Sequence, residues 1–312
     1  MILTITMNPA IDKTLELEKL ERGQVNRIRH VELDVGGKGI NVSKTIQQLG
    51  GNSIAMGFIA GNNGKVVRNA LEELGIFTDF IEVEGETRTN TKVYESAGQV
   101  TELNEPGPEI GTKELEQLLE KIADHTTTDT LVVLAGSVPK GIDTNIYARI
   151  TELVHSQGGK VLVDADGELF SKALEAVPDM MKPNREELQK YAGLEHPATE
   201  EELLMLAEKI MKKGISQMAV SMGSDGALFF GRDCKVKCPA LEVTAHSTVG
   251  AGDAMVAAMA YGWEKQLEPE EQIRYCMAAS AGAVTTLGTK PPSQEKVNEL
   301  KQMVKVEYLD FS

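Results

Sequence analysis

Ser247-Thr-Val-Gly250-Ala251-Gly252-Asp253-Ala-Met255 runs without a break into the small-residue stretch Val256-Ala-Ala-Met-Ala260. Gly250 and Gly252 let the backbone turn tightly and bring main-chain N–H groups close to an oxyanion. The helical stretch that follows presents its positive N-terminal end at the same point. Asp253 falls on the first turn, beside the place where negative charge would develop. An anion hole with a carboxylate next to it suits phosphoryl transfer: the N–H groups stabilise the moving phosphoryl and the carboxylate takes a proton from the attacking hydroxyl. The same residues also read as a plain strand-to-helix turn whose Asp253 caps the helix, and this segment alone leaves both readings open.

Outward from that turn, short β-branched runs alternate with amphipathic helical ones. Residues 2–6, 53–58, 130–135, 160–164 and 217–221 are expected as strands; 40–49, 65–74, 112–124, 144–156, 200–213, 254–265 and 270–287 as helices. Alternation of this kind predicts an α/β core, doubly wound about a mainly parallel sheet, with ligands at the carboxyl ends of the strands. Residues 12–34 and 80–105 break the pattern, alternating polar and apolar without a helical partner, and Gly98 supplies a hairpin turn in the second. These segments are expected to form a small β-sheet lid over a core built from 1–11, 35–79 and 106–312.

A chain of 312 residues has room for one large domain, or a core with a small accessory one. Its 41% apolar and 25% charged residues are ordinary for a globular protein, and no apolar run approaches the roughly 18 residues of a membrane span. The N-terminus, Met1-Ile-Leu-Thr-Ile-Thr6, lacks a basic flank and a cleavage site and reads as a buried strand. Three cysteines, Cys234, Cys238 and Cys276, cannot make a paired disulfide framework, which favours a reducing compartment, the cytoplasm. A net charge of −15 argues against a nucleic-acid or membrane partner, and it requires the few basic groups to be focused wherever anions bind.

Four further stretches carry chemistry. Asp34-Val-Gly-Gly37-Lys38-Gly-Ile-Asn41 departs from the nucleotide-binding G-x-x-x-x-G-K-[ST] pattern, since glycine follows the lysine; it can hold a polyhydroxylated ligand against backbone, or be a tight turn with a solvated lysine. In Lys182-Pro-Asn184-Arg-Glu-Glu187, Asn184 and Glu187 form a capping box or stand near a hydrated Mg²⁺. Ser221-Met222-Gly223-Ser224-Asp225-Gly226 wraps a nucleotide or turns a hairpin. Gly85-Glu-Thr-Arg88 puts a planar fork suited to phosphate in the lid segment.

In this order and together, these stretches resemble the PfkB, or ribokinase-like, family of carbohydrate kinases over essentially the whole chain. Gly36-Gly-Lys-Gly-Ile-Asn-Val-Ser43 is similar to the family's first signature and Ser247-Thr-Val-Gly-Ala-Gly-Asp253 to its second. Thr6-Met-Asn-Pro-Ala-Ile-Asp12, Val25-Asn-Arg27, Gly85-Glu-Thr-Arg88 and Asn104-Glu-Pro-Gly-Pro108 resemble the branch that holds 1-phosphofructokinase and tagatose-6-phosphate kinase. The resemblance implies a three-layer core with a β-sheet lid and an ATP-dependent phosphorylation of a ketohexose phosphate, fructose 1-phosphate first. It implies Asp253 as base with Gly250, Ala251 and Gly252 as anion hole. Asp12, Gly37, Lys38 and Asn41 would contact the sugar, Arg88 and Arg27 its phosphate, with Ser137 lining the site. ATP would lie against Asp164, Lys182, Asn184, the 221–226 loop and the 250–252 turn, with Mg²⁺ supported through water by Asn184 and Glu187. Ser247 stands where the broad family carries Asp, which leaves the contact made there open. Packing of two lids into a homodimer would be a natural way to cover their apolar faces.

Tagatose 6-phosphate is the nearest alternative substrate, since one hydroxyl's stereochemistry is read by contacts the sequence does not place. A kinase of unphosphorylated sugars or nucleosides would have no use for Arg88. A catalytically silent sugar-phosphate sensor would have no need of Asp253.

Overall fold

The structure is a computed structural model that describes residues 1–232, 234–286 and 288–310. Its large sheet has ten strands. From one edge, β5 (Phe77–Val83), β4 (Ser53–Ala60), β1 (Ile2–Thr6), β8 (Leu131–Ala135), β9 (Lys160–Asp164), β10 (Met180–Met181) and β11 (Gln217–Ser221) run parallel. The antiparallel strands β12 (Ala227–Phe230), β13 (Lys235–Cys238) and β14 (Glu307–Tyr308) complete it. Central strands such as Leu131-Val-Val-Leu-Ala are buried at every position, as a sheet covered on both faces requires. Successive residues divide between the two layers. Leu3, Val132 and Val163 pack with α3 (Thr112–His125), α4 (Ile146–Ser156), α5 (Gly167–Glu175), α6 (Arg185–Ala192) and α7 (Glu200–Met211). Ile2, Val133 and Leu162 pack with α1 (Lys38–Gln48), α8 (Ala251–Glu264), α9 (Pro269–Val284) and α10 (Gln294–Lys301), while α2 (Gly61–Glu73) covers the β4–β5 edge.

A second sheet of four strands stands apart, in the order β3 (His30–Gly36), β2 (Ala10–Leu17), β6 (Arg88–Glu95), β7 (Val100–Asn104). It draws on both segments expected to form the small sheet, with different bounds: Ala10, Ile11, Val35 and Gly36, assigned to the core, pair in β2 and β3. Residues 80–83, assigned to the lid, belong to β5 of the large sheet, because Phe80 and Ile81 are buried against the core and pair in register with Gly57 and Phe58. The expected helix 270–287 runs to Val284, and Leu287 lies outside the described residues. Gly98, at φ 84°, makes the expected turn between β6 and β7.

The chain leaves the large sheet for the small one at Ala10 and returns at Gly36, directly into α1. One cleft therefore lies between the carboxyl ends of the parallel strands and the inner face of the small sheet.

Candidate active site

That cleft holds a cavity of about 1150 Å³. Its floor is made of strand ends: Thr6 closes β1, Gly136 and Ser137 follow β8, Asp164 closes β9, Lys182 follows β10 and Ser221 closes β11. Its roof is the small sheet, where register puts Asp12 of β2 opposite Asn90 of β6, with Arg88 and Lys92 two residues either side on the same face.

Gly250, at φ 84°, is the left-handed residue that starts α8, so the chain turns into the helix with Asp253 on its first turn. Asp253 is 8% exposed, and Asn41 of α1 donates an Nδ2–H to its Oδ2 at 2.8 Å. Burial pushes its carboxyl up to about 6; the nearby Asp164 adds to the rise, while the Asn41 hydrogen bond, Lys38 and Lys182 oppose it. Asp164, 1% exposed, sits between two lysines, Lys38 Nζ at 3.3 Å from Oδ2 and Lys182 Nζ at 3.3 Å from Oδ1. Neither contact is an aligned hydrogen bond, so Asp164 acts on the lysines by charge. Burial raises the Asp164 carboxyl, but the two lysines outweigh it and hold it below the usual range. Burial likewise pulls Lys38 down, and Asp164, Asp253 and Glu187 overcome it, keeping the ammonium charged. Lys182 also approaches the glycine turn: a Cβ on Gly252 would lie 3.3 Å from its Nζ. Two ammonium groups and a helix N-terminus thus converge beside two buried carboxylates, Asp164 and Asp253, a place suited to an anion that arrives with its own counter-charge.

Asn184 caps α6, its Oδ1 accepting from the Glu187 N–H at 2.8 Å while Glu187 Oε2 accepts from the Asn184 N–H at 2.8 Å. The capping box is therefore formed, and both residues also line the cavity. Among the described residues no group of three or more His, Cys, Asp or Glu is arranged to hold a metal. A hydrated Mg²⁺, which takes few protein ligands, is compatible with this sparse donor set, for the cap engages Glu187 through Oε2 alone. The Ser221–Gly226 segment forms the hairpin and also borders the cavity. It turns the β11–β12 hairpin through a 3₁₀ turn at Gly223–Asp225, and Ser221, Met222, Gly223, Ser224 and Gly226 line the cavity.

All but two of the residues singled out in the sequence meet in this one cavity. Asp225 does not; its carboxylate pairs with Arg185 Nη2 at 2.6 Å. Arg27 lies in the exposed loop between β2 and β3 and lines no part of the cavity in the single chain. Ser247 turns its hydroxyl back on the chain, where Oγ accepts from the Val249 N–H at 3.2 Å. Sequence reasoning passed over Asn8, Asn90 and Lys92 on the roof, and an apolar wall that includes Leu241, Val243, Met277 and Val284. The Arg88-Thr-Asn90-Thr-Lys92 alternation carried the signal for the roof residues.

Every buried side-chain nitrogen or oxygen that lacks a hydrogen-bond partner, among the described residues, belongs to a residue lining this cavity. They are Thr6 Oγ1, Asn8 Oδ1, Asn41 Oδ1, Asn90 Oδ1, Arg88 Nε, both Asp164 oxygens and Arg185 Nε. Orphaned polar atoms are expensive in a folded interior, and their confinement to one cleft marks it as the place where a polar ligand completes the structure.

The chain matches the family described as pfkB family carbohydrate kinase over residues 1–296. It is 33% identical over 310 residues to the 1-phosphofructokinase of Vibrio cholerae, covering 99% of this chain and 97% of the relative. It is 35% identical over 306 residues to that of Bacillus subtilis, covering 98% and 99%. Its structure superposes on phosphofructokinase-2 from Escherichia coli, solved in complex with substrates and products, with a TM-score of 0.91 at 27% identity, over 97% of this chain and 98% of that one. Both signatures, the two-sheet architecture and the whole length of the chain agree, and the protein belongs to the pfkB family of carbohydrate kinases.

Proposed function

We propose that the enzyme transfers the γ-phosphoryl group of ATP to the free primary hydroxyl of fructose 1-phosphate, giving fructose 1,6-bisphosphate and ADP. One observation carries the reading: Asp253, the buried carboxylate at the mouth of α8, stands where orphaned hydroxyl acceptors meet two anion-binding lysines. Thr6, Asn8, Asn41 and Asn90 accept from sugar hydroxyls with Asp12, and Arg88 takes the phosphate already on the sugar. Asp253 accepts the proton as the hydroxyl oxygen forms its bond to the γ-phosphorus, and the bond from that phosphorus to the β–γ bridging oxygen breaks, releasing ADP. Lys38, Lys182 and the N–H groups at Gly250, Ala251 and Gly252 hold the charge spread over the transferring group. Asn184 and Glu187 would hold a hydrated Mg²⁺, whose chemistry is to neutralise and bridge the phosphate oxygens. The apolar wall at Leu241 and Val243 suits the adenine ring. Several curated relatives named 1-phosphofructokinase at 32–36% identity support fructose 1-phosphate as the acceptor.

Two finer points belong to the same reading. On the face of the small sheet away from the cavity, Leu33 and Leu103 are 63% and 58% exposed, and we take them as the surface through which two lids pair. The thiols of Cys238 and Cys276 are buried, in keeping with a cytoplasmic protein. ADP release should be measured with fructose 1-phosphate, fructose 6-phosphate, tagatose 6-phosphate and fructose. The expected order puts fructose 1-phosphate first in kcat/KM by at least about tenfold, the value of one discriminating contact. Equal turnover of free fructose would remove the reading.

A further inference from the structure

Strand β6 turns Arg88, Asn90 and Lys92 toward the cavity, every second residue, and the two cations on it are in unlike states. The fork of Arg88 is partly engaged: Nη2 donates to the Asn8 carbonyl at 3.0 Å and Nη1 reaches the Glu105 carbonyl at 3.4 Å. Among the described residues, the ammonium of Lys92 donates no hydrogen bond. Its side chain is 10% exposed, and its one ion pair is with Asp12, at 4.0 Å, the outer limit of such a contact. Glu102, its cross-strand partner in register, does not pair with it. An ammonium carries three N–H donors, and burying it without acceptors is costly unless a ligand brings them.

The unsatisfied atoms of the cavity sort by chemistry. Asn8, Asn41 and Asn90 offer carbonyl oxygens, which suit the hydroxyl donors of a sugar. The unpartnered Nε of Arg88 and, beside it, the ammonium of Lys92 offer only donors, with positive charge, and these suit an anion. Asp12 stands between the two sets: 4.0 Å from Lys92, and close enough for its charge to act on Arg88.

We propose that Lys92 is a specificity-determining residue, its ammonium donating to the phosphate that the acceptor sugar already carries, alongside Arg88. The inference rests on the sugar-phosphate reading above and deepens it. Arg88, braced by two carbonyls, fixes the position of the phosphate. Lys92, held near the site by burial and a long ion pair with Asp12, supplies the donors that a neutral group in that place would leave unanswered. A free sugar presents only a hydroxyl there, which leaves the buried charge with the distant Asp12 carboxylate alone, so Lys92 works against unphosphorylated sugars as well as for phosphorylated ones.

Lys92→Met, Lys92→Gln and Lys92→Arg test this in the full-length protein, each first checked for an unchanged thermal midpoint. With Lys92→Met and Lys92→Gln, KM for fructose 1-phosphate should rise roughly 10- to 100-fold, the range of one charge-assisted contact, with kcat and the KM for ATP nearly unchanged. The inhibition constant of inorganic phosphate, competing with fructose 1-phosphate, should rise by the same factor. Lys92→Arg should restore most of both. If the KM rises and the phosphate inhibition constant does not, Lys92 serves only as counter-ion to Asp12 and the proposal falls. Should all three variants match the wild type, it falls as well. A wild type that fails to prefer fructose 1-phosphate over fructose removes the sugar-phosphate reading and this role with it. A discriminating wild type whose Lys92→Met loses both substrates equally removes the role of Lys92 alone.

Discussion

The floor and the roof of the cavity are built on different physical terms. The floor is the end of a sheet whose central strands are buried on both faces, and its side chains, Asp253, Asp164 and Lys182, are held by helices packed on either side. The roof is a four-stranded sheet with an exposed outer surface, and strand β7 is open to solvent at four of its five positions. On the proposed function, chemistry that tolerates little displacement would sit on the more densely packed part, and contacts that select among sugars on the part with fewer packing partners. Damage to the floor should therefore appear in kcat, and damage to the roof in KM and in the choice of substrate.

The largest expected effect is on the floor. Exhaustive chelation of divalent cations should abolish turnover, because a triphosphate arriving in a protein of net charge −15 needs its charge neutralised. Full activity in excess chelator would sever Asn184 and Glu187 from any metal. Asp253→Asn comes next. The change is nearly isosteric and leaves the N–H groups of the turn in place, so kcat should fall roughly 10²–10⁴-fold with ATP affinity retained. Turnover above a tenth of wild type would exclude Asp253 as the base.

On the roof, Arg88→Ala removes a charge-assisted contact worth about 1.5–3 kcal/mol, or roughly 10- to 150-fold in kcat/KM for sugar phosphates, and should spare any weak activity on the free sugar. Arg88→Lys should recover part of it, since the ammonium keeps the charge without the fork. If both substrates suffer alike, the contrast between floor and roof collapses at this residue. The carbonyls of Asn8 and Glu105 would then be the whole of its purpose.

Two smaller effects sharpen the floor. A base whose carboxyl is pushed up to about 6 must be ionised to work, so kcat/KM should fall about tenfold per pH unit below pH 6 and be flat just above it. A limb near pH 4 instead would mean that the Asp253 carboxyl ionises as readily as one in water. The same burial has a stability cost of the opposite sense. Above pH 6 the native state must hold an ionised buried carboxylate, at a cost of up to about 3 kcal/mol, which shrinks as pH falls from 6 toward the ordinary value of 3.8 and vanishes below it. Asp253→Asn should accordingly raise the thermal midpoint at pH 8 and lose that advantage at pH 4, measured by unfolding at both.

The floor was far more legible in the sequence than the roof. Buried parallel strands read as continuous apolar runs, so Ile2–Thr6, Lys160–Asp164 and Gln217–Ser221 were placed to the residue. The glycine turn before Asp253 and the Asn184–Glu187 box carry local geometry in their own residues. The roof depends on register. Which face of β6 meets the ligand is set by its pairing with β2, so Asn90 and Lys92 were missed although Arg88 was named. The β5 boundary was misread for a related reason, since an edge strand alternates as a lid strand does. The short elements α5, α10 and β12 to β14 have too few residues for a period to show. Asp225 shared a motif with true lining residues, and nothing local distinguished it, while Arg27 was named from the Val25-Asn-Arg27 likeness alone.

The two strands that join the small sheet to the core leave it at Ala10 and re-enter it at Gly36, and those two residues face each other in register. A Cβ added at Gly36 would lie 2.3 Å from Asp12 Oδ2, and the next residues, Gly37 and Lys38, already line the cavity. The root of the roof and part of the cavity lining thus fall on the same few residues. A side chain placed at position 36 would therefore meet the Asp12 carboxylate directly and shift it within the cavity, so the spacing of β2 and β3 at their root and the position of Asp12 are set by the same glycine.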